Sequence, residues 1–181
     1  KQGGRNRFHL FDVSRDKEVK VTHQTVEQVR QALARRELCL HFQPKVNMRQ
    51  GCVVGFEALL RWDHPELGSV SPRRFIPIAE ECGLIQSIGA WVLDEACRQL
   101  AIWNGQPRGA GRERLTVSIN VSALQLRDPN LKDVIAAGLA RHDVAAADLE
   151  LELTESILIE SVESTLAQLE DEGYVRAEEG E

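Results

Sequence analysis

The sequence lacks the cysteine spacing of a zinc site or a disulfide-rich domain. Its four cysteines are Cys39, Cys52, Cys82 and Cys97, and no two of them form a C-x-x-C pair. Zinc sites and disulfide frameworks are typically recognised by closely spaced or regularly spaced cysteines, so the pattern argues against both. The neighbours of these cysteines are largely apolar, which predicts buried free thiols in a reducing compartment.

A surplus of positive charge and a long apolar run are also missing. The chain has 22 Lys and Arg residues against 28 Asp and Glu residues, a net charge of −6. A nucleic-acid polymer is therefore not an expected partner, and a phosphate ligand must be held locally by metal or single arginines. No apolar run has membrane-spanning length, and the N-terminus has no signal-peptide core. We expect a cytoplasmic stretch without membrane contact, in a free protein or in the cytoplasmic part of a membrane-anchored one.

An initiator methionine is absent as well, since the single methionine is Met48. The 181 residues have room for one ordinary domain, and 43% apolar with 28% charged residues is typical of globular proteins. Residues 1–21 are polar, contain glycine and show little helical periodicity, which predicts a tail and linker. Residues 22–181 are then the main domain. The sequence predicts a piece of a longer protein.

Strand-like and helix-like segments alternate along this main domain. Two strand-like runs, 38–46 and 52–62, flank a five-residue connection with one glycine, which predicts an antiparallel hairpin and a reversed first strand. Further strand-like runs cover 115–122 and 149–155, and helical patterns cover 86–104, 130–143 and 161–173. Strands separated by helices of this length predict parallel pairing, with right-handed crossovers that place the helices on one side.

The ends of several helices have their own signals. A capping box that begins at Thr25 predicts a helix over 25–36. A Ser-Pro pair and a glycine bound the helical segment 72–83, and Pro77 is expected to divide it into two short turns. Asn130 is expected to cap the helix that follows it.

The predicted strands have a polar face opposite an apolar one. Successive side chains of a strand point to opposite faces, so Glu57, Leu59 and Arg61 share one face of the run 53–62. The same division assigns further polar side chains to this kind of face: His41, Gln43, Thr116, Ser118, Asn120, Ser122, Glu150, Glu152 and Thr154. All four strands therefore have a polar second face.

Two explanations of this polar face stay open. In an open sheet the polar face is simply in water. In a parallel β/α sheet both faces are usually covered, and charged groups there need partners or ions. Carboxylate and amide oxygens suit Mg²⁺ or Mn²⁺, and Arg61 can clamp a phosphate. Because Asn120 and Glu152 lie toward the C-terminal ends of their strands, where β/α barrels build active sites, the second explanation predicts a metal and phosphate site.

The motifs around these residues resemble the EAL domain family, the bacterial phosphodiesterases of cyclic diguanylate (c-di-GMP). They follow the family's order over roughly residues 24–173 and are HFQPKV, FEALLRW, SPRRFIPIAEECGLI, SINVSALQL and LELELTES. Together they are far more specific than any single motif of this length. The segment GRNRFHLFD is similar to the end of a GGDEF (diguanylate cyclase) domain. The resemblance therefore implies a tandem GGDEF and EAL protein.

The resemblance implies a fold, a reaction and a set of site residues. The fold is an incomplete (β/α)8 TIM-like barrel, in the α/β class, with an antiparallel first strand. The reaction is hydrolysis of c-di-GMP to a linear dinucleotide, with two Mg²⁺ or Mn²⁺ ions activating a water. The implied roles are catalysis and metal binding by Glu57 and Glu152, metal binding by Asn120, substrate contact by Gln43, Leu59 and Arg61, and loop bracing by Glu155.

Ordinary explanations remain for several polar residues. Gln43 is equally well explained as a polar strand end. Glu150 is either an inward carboxylate deeper in the barrel or an outward one on a strand edge. His41 and His64 are expected to be structural, because two-metal chemistry needs no imidazole base.

After Gly173 the sequence departs from the family pattern. The family continues with a tandem-aspartate loop and then a lysine, a glutamate and a glutamine, whereas this chain reads YVRAEEGE. Glu178 and Glu179 lack the Phe and Gly that flank the aspartate pair. A full barrel needs about 250 residues, so we expect a half barrel with a bare strand edge, inactive alone. Such a half is expected to form a homo-oligomer or domain-swapped dimer, or to depend on further sequence.

Three functional hypotheses follow. In the first, the chain is part of an active c-di-GMP phosphodiesterase. In the second, it is a non-catalytic module that senses c-di-GMP or a protein partner. In the third, it is an α/β domain without a site, and its polar face is simply exposed to water. Hydrolysis, ligand binding and metal-dependent stabilisation distinguish the three.

Overall fold

The structure is a computed structural model that describes residues 26–106 and 114–153. The tail and domain boundary near residue 21, the Thr25 capping box and the helix over 161–173 lie outside these residues. So do Glu155 and the pair at 178–179. These expectations stay predictions.

A five-stranded mixed sheet forms the centre of the described chain. Its strands are β1 (Leu38–Asn47), β2 (Cys52–His64), β3 (Gly68–Val70), β4 (Thr116–Val121) and β5 (Leu149–Leu153). Four of them lie in the order β1, β2, β4, β5, and β3 pairs with the end of β2. β1 runs antiparallel to β2, whereas β2 with β4 and β4 with β5 are parallel. The predicted hairpin, reversed first strand and parallel units are confirmed. Within the described residues the sheet is open, as an incomplete barrel requires.

Helices cover the apolar face of this sheet. They are α1 (residues 26–34), α2 (Pro72–Glu81), α3 (Ile85–Gly105), α4 (Ala123–Leu126) and α5 (Leu131–His142), with a 3₁₀ turn at Ala146–Asp148. One face of α3 is buried and shares a core with the apolar side chains of β4; its buried residues are Ile85, Ile88, Val92, Leu93, Ala96, Cys97 and Leu100. None of the helices in the described ranges has the combination of length and apolar character that a membrane crossing requires.

Some local expectations were wrong. Pro77 does not split its segment, because α2 runs through it as one helix. Pro77 is the sixth residue of α2, so it removes the hydrogen bond that an N–H at this position would make to the carbonyl four residues earlier, and the helix nevertheless continues past it. Asn130 does occupy the N-cap position of α5, but its side chain makes no capping bond there. The short elements β3 and α4 were not predicted, although Ser122 and Gln125 form a capping box at the start of α4.

The buried Gly55 permits close approach of β2 and β4. A Cβ at Gly55 would lie 2.7 Å from the Thr116 carbonyl oxygen and would also overlap the Thr116 hydroxyl. We expect Gly55→Ala to lower the free energy of unfolding by about 1–3 kcal/mol, measured by urea denaturation, because the backbone of β4 must move. Gly105→Ala is the control, since a Cβ there meets no atom within 4 Å. Equal stability of the two variants would contradict this account.

An ionic contact joins α3 to α5. Asp94 accepts a hydrogen bond of 2.6 Å from Arg141 and lies 3.0 Å from His142 Nε2. Desolvation acts to raise the pKa of Asp94, but the bonds from His142 and Arg141 outweigh it and lower the pKa. The resulting stabilisation is present above the ordinary aspartate pKa of 3.8 and is lost as pH falls through the lowered value.

We expect Asp94→Asn to cost up to about 1 kcal/mol of unfolding free energy at pH 7, because the contact is partly exposed. The difference from the native chain should shrink as pH falls below 4. Urea unfolding at both pH values measures it. A difference that grew in acid would be incompatible with the lowered pKa.

Candidate functional site

The strand register places the polar residues side by side on one face. Gln43 pairs with Glu57, Glu57 with Ser118, and Ser118 with Glu150. These pairs form one row across four strands. The next row contains Asn120 paired with Glu152. Because these residues have matching positions in the strand alternation, all of them belong to the same face of the sheet.

Glu57 and Asn120 contact each other directly on this face. Asn120 Nδ2 donates a hydrogen bond of 2.9 Å to Glu57 Oε1. Asn120 is exposed, so its amide oxygen remains available for a second interaction. Since Asn120 also pairs with Glu152 in the register, it lies between the two carboxylates. The face therefore brings Glu57, Asn120 and Glu152 into one neighbourhood.

Lys45 is a charged residue of this face that the sequence patterns did not predict. Its Nζ donates to Glu150 Oε2 at 2.7 Å and to Glu152 Oε1 at 2.9 Å. The open question about Glu150 is thereby answered, because its carboxylate faces the same side as Glu152. Lys45 follows Gln43 by two residues, so strand alternation could have assigned it to the polar face. Its partners, more than 100 residues away in sequence, could not be inferred this way.

These contacts change the acidity of both partners. Desolvation acts to raise the pKa of Glu152, but the Lys45 bond and the nearby Ser118 hydroxyl outweigh it, so the pKa is lowered. The Ser118 hydroxyl is buried without a bond of standard geometry, so we assign the larger effect to Lys45. Desolvation acts to lower the pKa of Lys45, and the two carboxylates more than reverse this. Glu152 and Lys45 are both charged at neutral pH.

A cavity of about 340 Å³ lies between the sheet and helices α2, α3 and α5, and Glu57 and Glu152 are not part of its wall. Leu59, Arg61 and Asn120 contribute to its wall, and the rest is largely apolar surface from α2, α3 and α5. Arg61 Nη1 donates to the Leu60 carbonyl at 2.8 Å. Gln43 is exposed opposite Glu57 in the register and is not part of the cavity wall. Two of the three expected substrate contacts, Leu59 and Arg61, therefore line the same cavity.

The candidate ligand set is suitable for a hard cation. Within residues 26–106 and 114–153, no three His, Cys, Asp or Glu side chains form a group that could hold a metal ion by themselves. The set therefore depends on the Asn120 amide together with Glu57 and Glu152. Two carboxylates and one amide oxygen are donors that Mg²⁺ and Mn²⁺ accept, so the residues present fit such an ion.

His64 has a structural part in the turn after β2. Its Nδ1 accepts hydrogen bonds from the backbone N–H groups of Glu66 and Leu67, at 3.1 and 3.2 Å. His41 is exposed on β1. The four cysteines are free thiols; Cys97 is buried and the others are partly buried. Desolvation and the nearby Asp94 charge raise the pKa of Cys97 to about 11, so it stays protonated.

Comparison with known proteins decides the family. The model of the EAL domain matches residues 26–175, which is most of the chain. The chain belongs to the EAL domain family. The chain is 42% identical over 170 residues to the bifunctional diguanylate cyclase/cyclic di-GMP phosphodiesterase MucR of Pseudomonas aeruginosa, covering 94% of this chain and 24% of MucR. It is 36% identical over 170 residues to the cyclic di-GMP phosphodiesterase PdeR of Escherichia coli, covering 94% of this chain and 25% of PdeR.

Solved EAL domains have the same fold. A structure of the MucR phosphodiesterase in complex with c-di-GMP superimposes with a TM-score of 0.74 at 44% identity, over 82% of this chain and 58% of that one. The EAL enzyme Bd1971 in its cGMP-bound form gives 0.81 at 29% identity, over 88% and 45%. The chain spans about a quarter of the length of MucR and PdeR.

Proposed function

We propose that this EAL domain belongs to a phosphodiesterase that hydrolyses c-di-GMP to the linear dinucleotide. The observation that supports this most directly is the common face of Glu57, Asn120 and Glu152, with the Asn120 amide in contact with Glu57. Relatives named as cyclic di-GMP phosphodiesterases align with nearly the whole chain. The substrate is accordingly c-di-GMP, and the setting is the cytoplasm.

Each site residue has a separate task in this proposal. Glu57, Asn120 and Glu152 hold Mg²⁺ or Mn²⁺ through their oxygens. The bound ions supply Lewis acidity toward water and the phosphodiester. Arg61 leaves the Leu60 carbonyl to donate to a phosphate oxygen, and Leu59 packs against the nucleotide beside it. Gln43 contacts the ligand from the edge of β1, and Glu155 braces a loop near the metal.

The 181-residue chain alone is inactive in this proposal. Two-metal hydrolysis needs ligands for both ions, and Glu57, Asn120 and Glu152 account for one set. The other set comes from outside the described residues or from another chain. The edges of β1 and β5 are unpaired within the described sheet, which supports a homo-oligomer or domain-swapped dimer. The proposed parent protein also has an upstream GGDEF domain.

A second candidate function is a c-di-GMP sensor or protein-interaction module without hydrolysis. The contact that favours it is the ion pair of Lys45 with Glu152, because a positive charge already occupies one oxygen of an expected metal ligand. In this case the face binds the nucleotide or a partner, and no bond is broken.

Product analysis tests the proposal. The complete reading frame is incubated with c-di-GMP and Mn²⁺, and the nucleotides are separated by chromatography. The proposed function predicts accumulation of the linear dinucleotide, and omission of the metal should stop it. Tight binding of c-di-GMP without any product would reject the enzyme and support the sensor. Neither binding nor product would reject both.

A further inference from the structure

One charged contact on the polar face has no part in the proposed reaction. Lys45 extends from β1, the outermost strand, to two glutamates on β5. The lysine and glutamate side chains therefore meet above the face of β2 and β4, the two strands that lie between them. The direct partner of Lys45 on β2 is Gly55, which has no side chain of its own, and the Thr116 hydroxyl lies where a Cβ at Gly55 would be. The Lys45 ammonium thus reaches the β5 carboxylates from the opposite edge of the sheet.

The two lysine contacts share a single positive charge. Lys45 Nζ is 2.7 Å from Glu150 and 2.9 Å from Glu152, and all three side chains are between 34% and 45% exposed. Glu152 belongs to the expected metal ligands, whereas Glu150 lies one row deeper, beside Ser118. The amount of positive charge at Glu152 therefore depends on how firmly Glu150 holds the same ammonium.

We propose that Lys45 is a built-in competitor of the divalent cation for Glu152, and that Glu150 weakens this competition by holding the lysine. The inference deepens the proposed function and depends on it, because it concerns the same metal site. An ammonium hydrogen-bonded to a ligand carboxylate uses one of its oxygens and opposes the approach of a second cation. Glu150 gives the ammonium an alternative acceptor, so that Glu152 is released more easily.

This arrangement predicts opposite effects for two substitutions. Lys45→Met keeps the aliphatic stem but removes the charge, so Mn²⁺ should bind about 10-fold more tightly. Glu150→Gln leaves the ammonium with Glu152 as its single charged acceptor among the residues that the structure describes, so Mn²⁺ should bind about 10-fold more weakly. Removing groups that are bonded to metal ligands typically changes affinity by this factor or more. A role for Lys45 in positioning Glu152 would give the opposite sign for Lys45→Met.

The test measures metal affinity directly rather than activity. Mn²⁺ is titrated into the complete reading frame, and free Mn²⁺ is followed by its electron paramagnetic resonance signal. Arg49→Met, in the exposed turn after β1, is the control for lost positive charge, and the exposed Glu66→Gln is the control for lost negative charge. Both controls should bind Mn²⁺ like the native protein. Circular dichroism verifies that each variant is folded. Loss of Mn²⁺ binding in Glu57→Gln shows that the ion binds at the proposed site.

Each outcome has a defined meaning. Tighter binding by Lys45→Met together with weaker binding by Glu150→Gln supports the inference. Binding of Mn²⁺ by Lys45→Met, together with no detectable binding by the native protein, supports the inference as well. Native binding that Lys45→Met leaves unchanged or weakens overturns the inference but not the proposed function. Failure of both native protein and Lys45→Met to bind Mn²⁺ overturns the two together.

Discussion

Glu57→Gln in the complete reading frame is expected to slow c-di-GMP hydrolysis by at least about 100-fold. The substitution keeps the size of the side chain and its ability to accept the Asn120 bond, but removes the negative charge that a divalent cation needs. Loss of an outer partner of a metal ligand already costs 10- to 100-fold, so loss of a ligand should cost at least the upper value. Initial rates at saturating Mn²⁺ measure the effect.

Glu66→Gln is the matched control for this experiment. Glu66 lies exposed in the turn after β2, close in sequence to Glu57 but away from the polar face. It should retain the native rate. If Glu57→Gln kept more than a tenth of the native rate while its fold was intact, Glu57 would not be a metal ligand and the proposed site would be wrong.

Trp62→Ala is expected to lower the free energy of unfolding by about 3–5 kcal/mol, the usual cost of removing a buried indole. Trp62 is 2% exposed at the end of β2. Its ring packs edge-on against Phe75 of α2, with centroids 5.4 Å apart. Its Nε1 donates to Glu37 at 3.1 Å. One side chain therefore joins β2 to both α2 and the start of β1. Urea unfolding followed by circular dichroism provides the measurement.

Trp62→Phe separates packing from the hydrogen bond. The smaller ring keeps the contact with Phe75 but cannot donate to Glu37, so we expect a cost of about 1–2 kcal/mol. An alanine variant no less stable than the phenylalanine variant would show that the cavity is filled by rearrangement. Arg61 directly precedes Trp62 in β2, so Trp62→Ala should also weaken binding of c-di-GMP.

The polar face was predictable because strand alternation is a local property. Glu57 and Arg61 are four positions apart, an even number, so they share a face of their strand whatever the other strands do. The hairpin of β1 and β2 was predictable for a similar reason, since its connection is short and contains Gly51. Pro77 shows where a local rule failed. The hydrogen bond that Pro77 removes is a local cost, whereas the burial of Phe75 and Ala79 in the core holds α2 together as one helix.

The sequence by itself determined the order of the longer strands and helices, the common face of Glu57, Leu59 and Arg61, and the family motifs. These follow from short-range periodicity and from residues adjacent in the chain. The tertiary structure alone decided that Asn120 contacts Glu57 and that Lys45 joins Glu150 and Glu152. The physical reason is that such contacts depend on strand register and sheet curvature, which bring together side chains 63 to 107 residues apart.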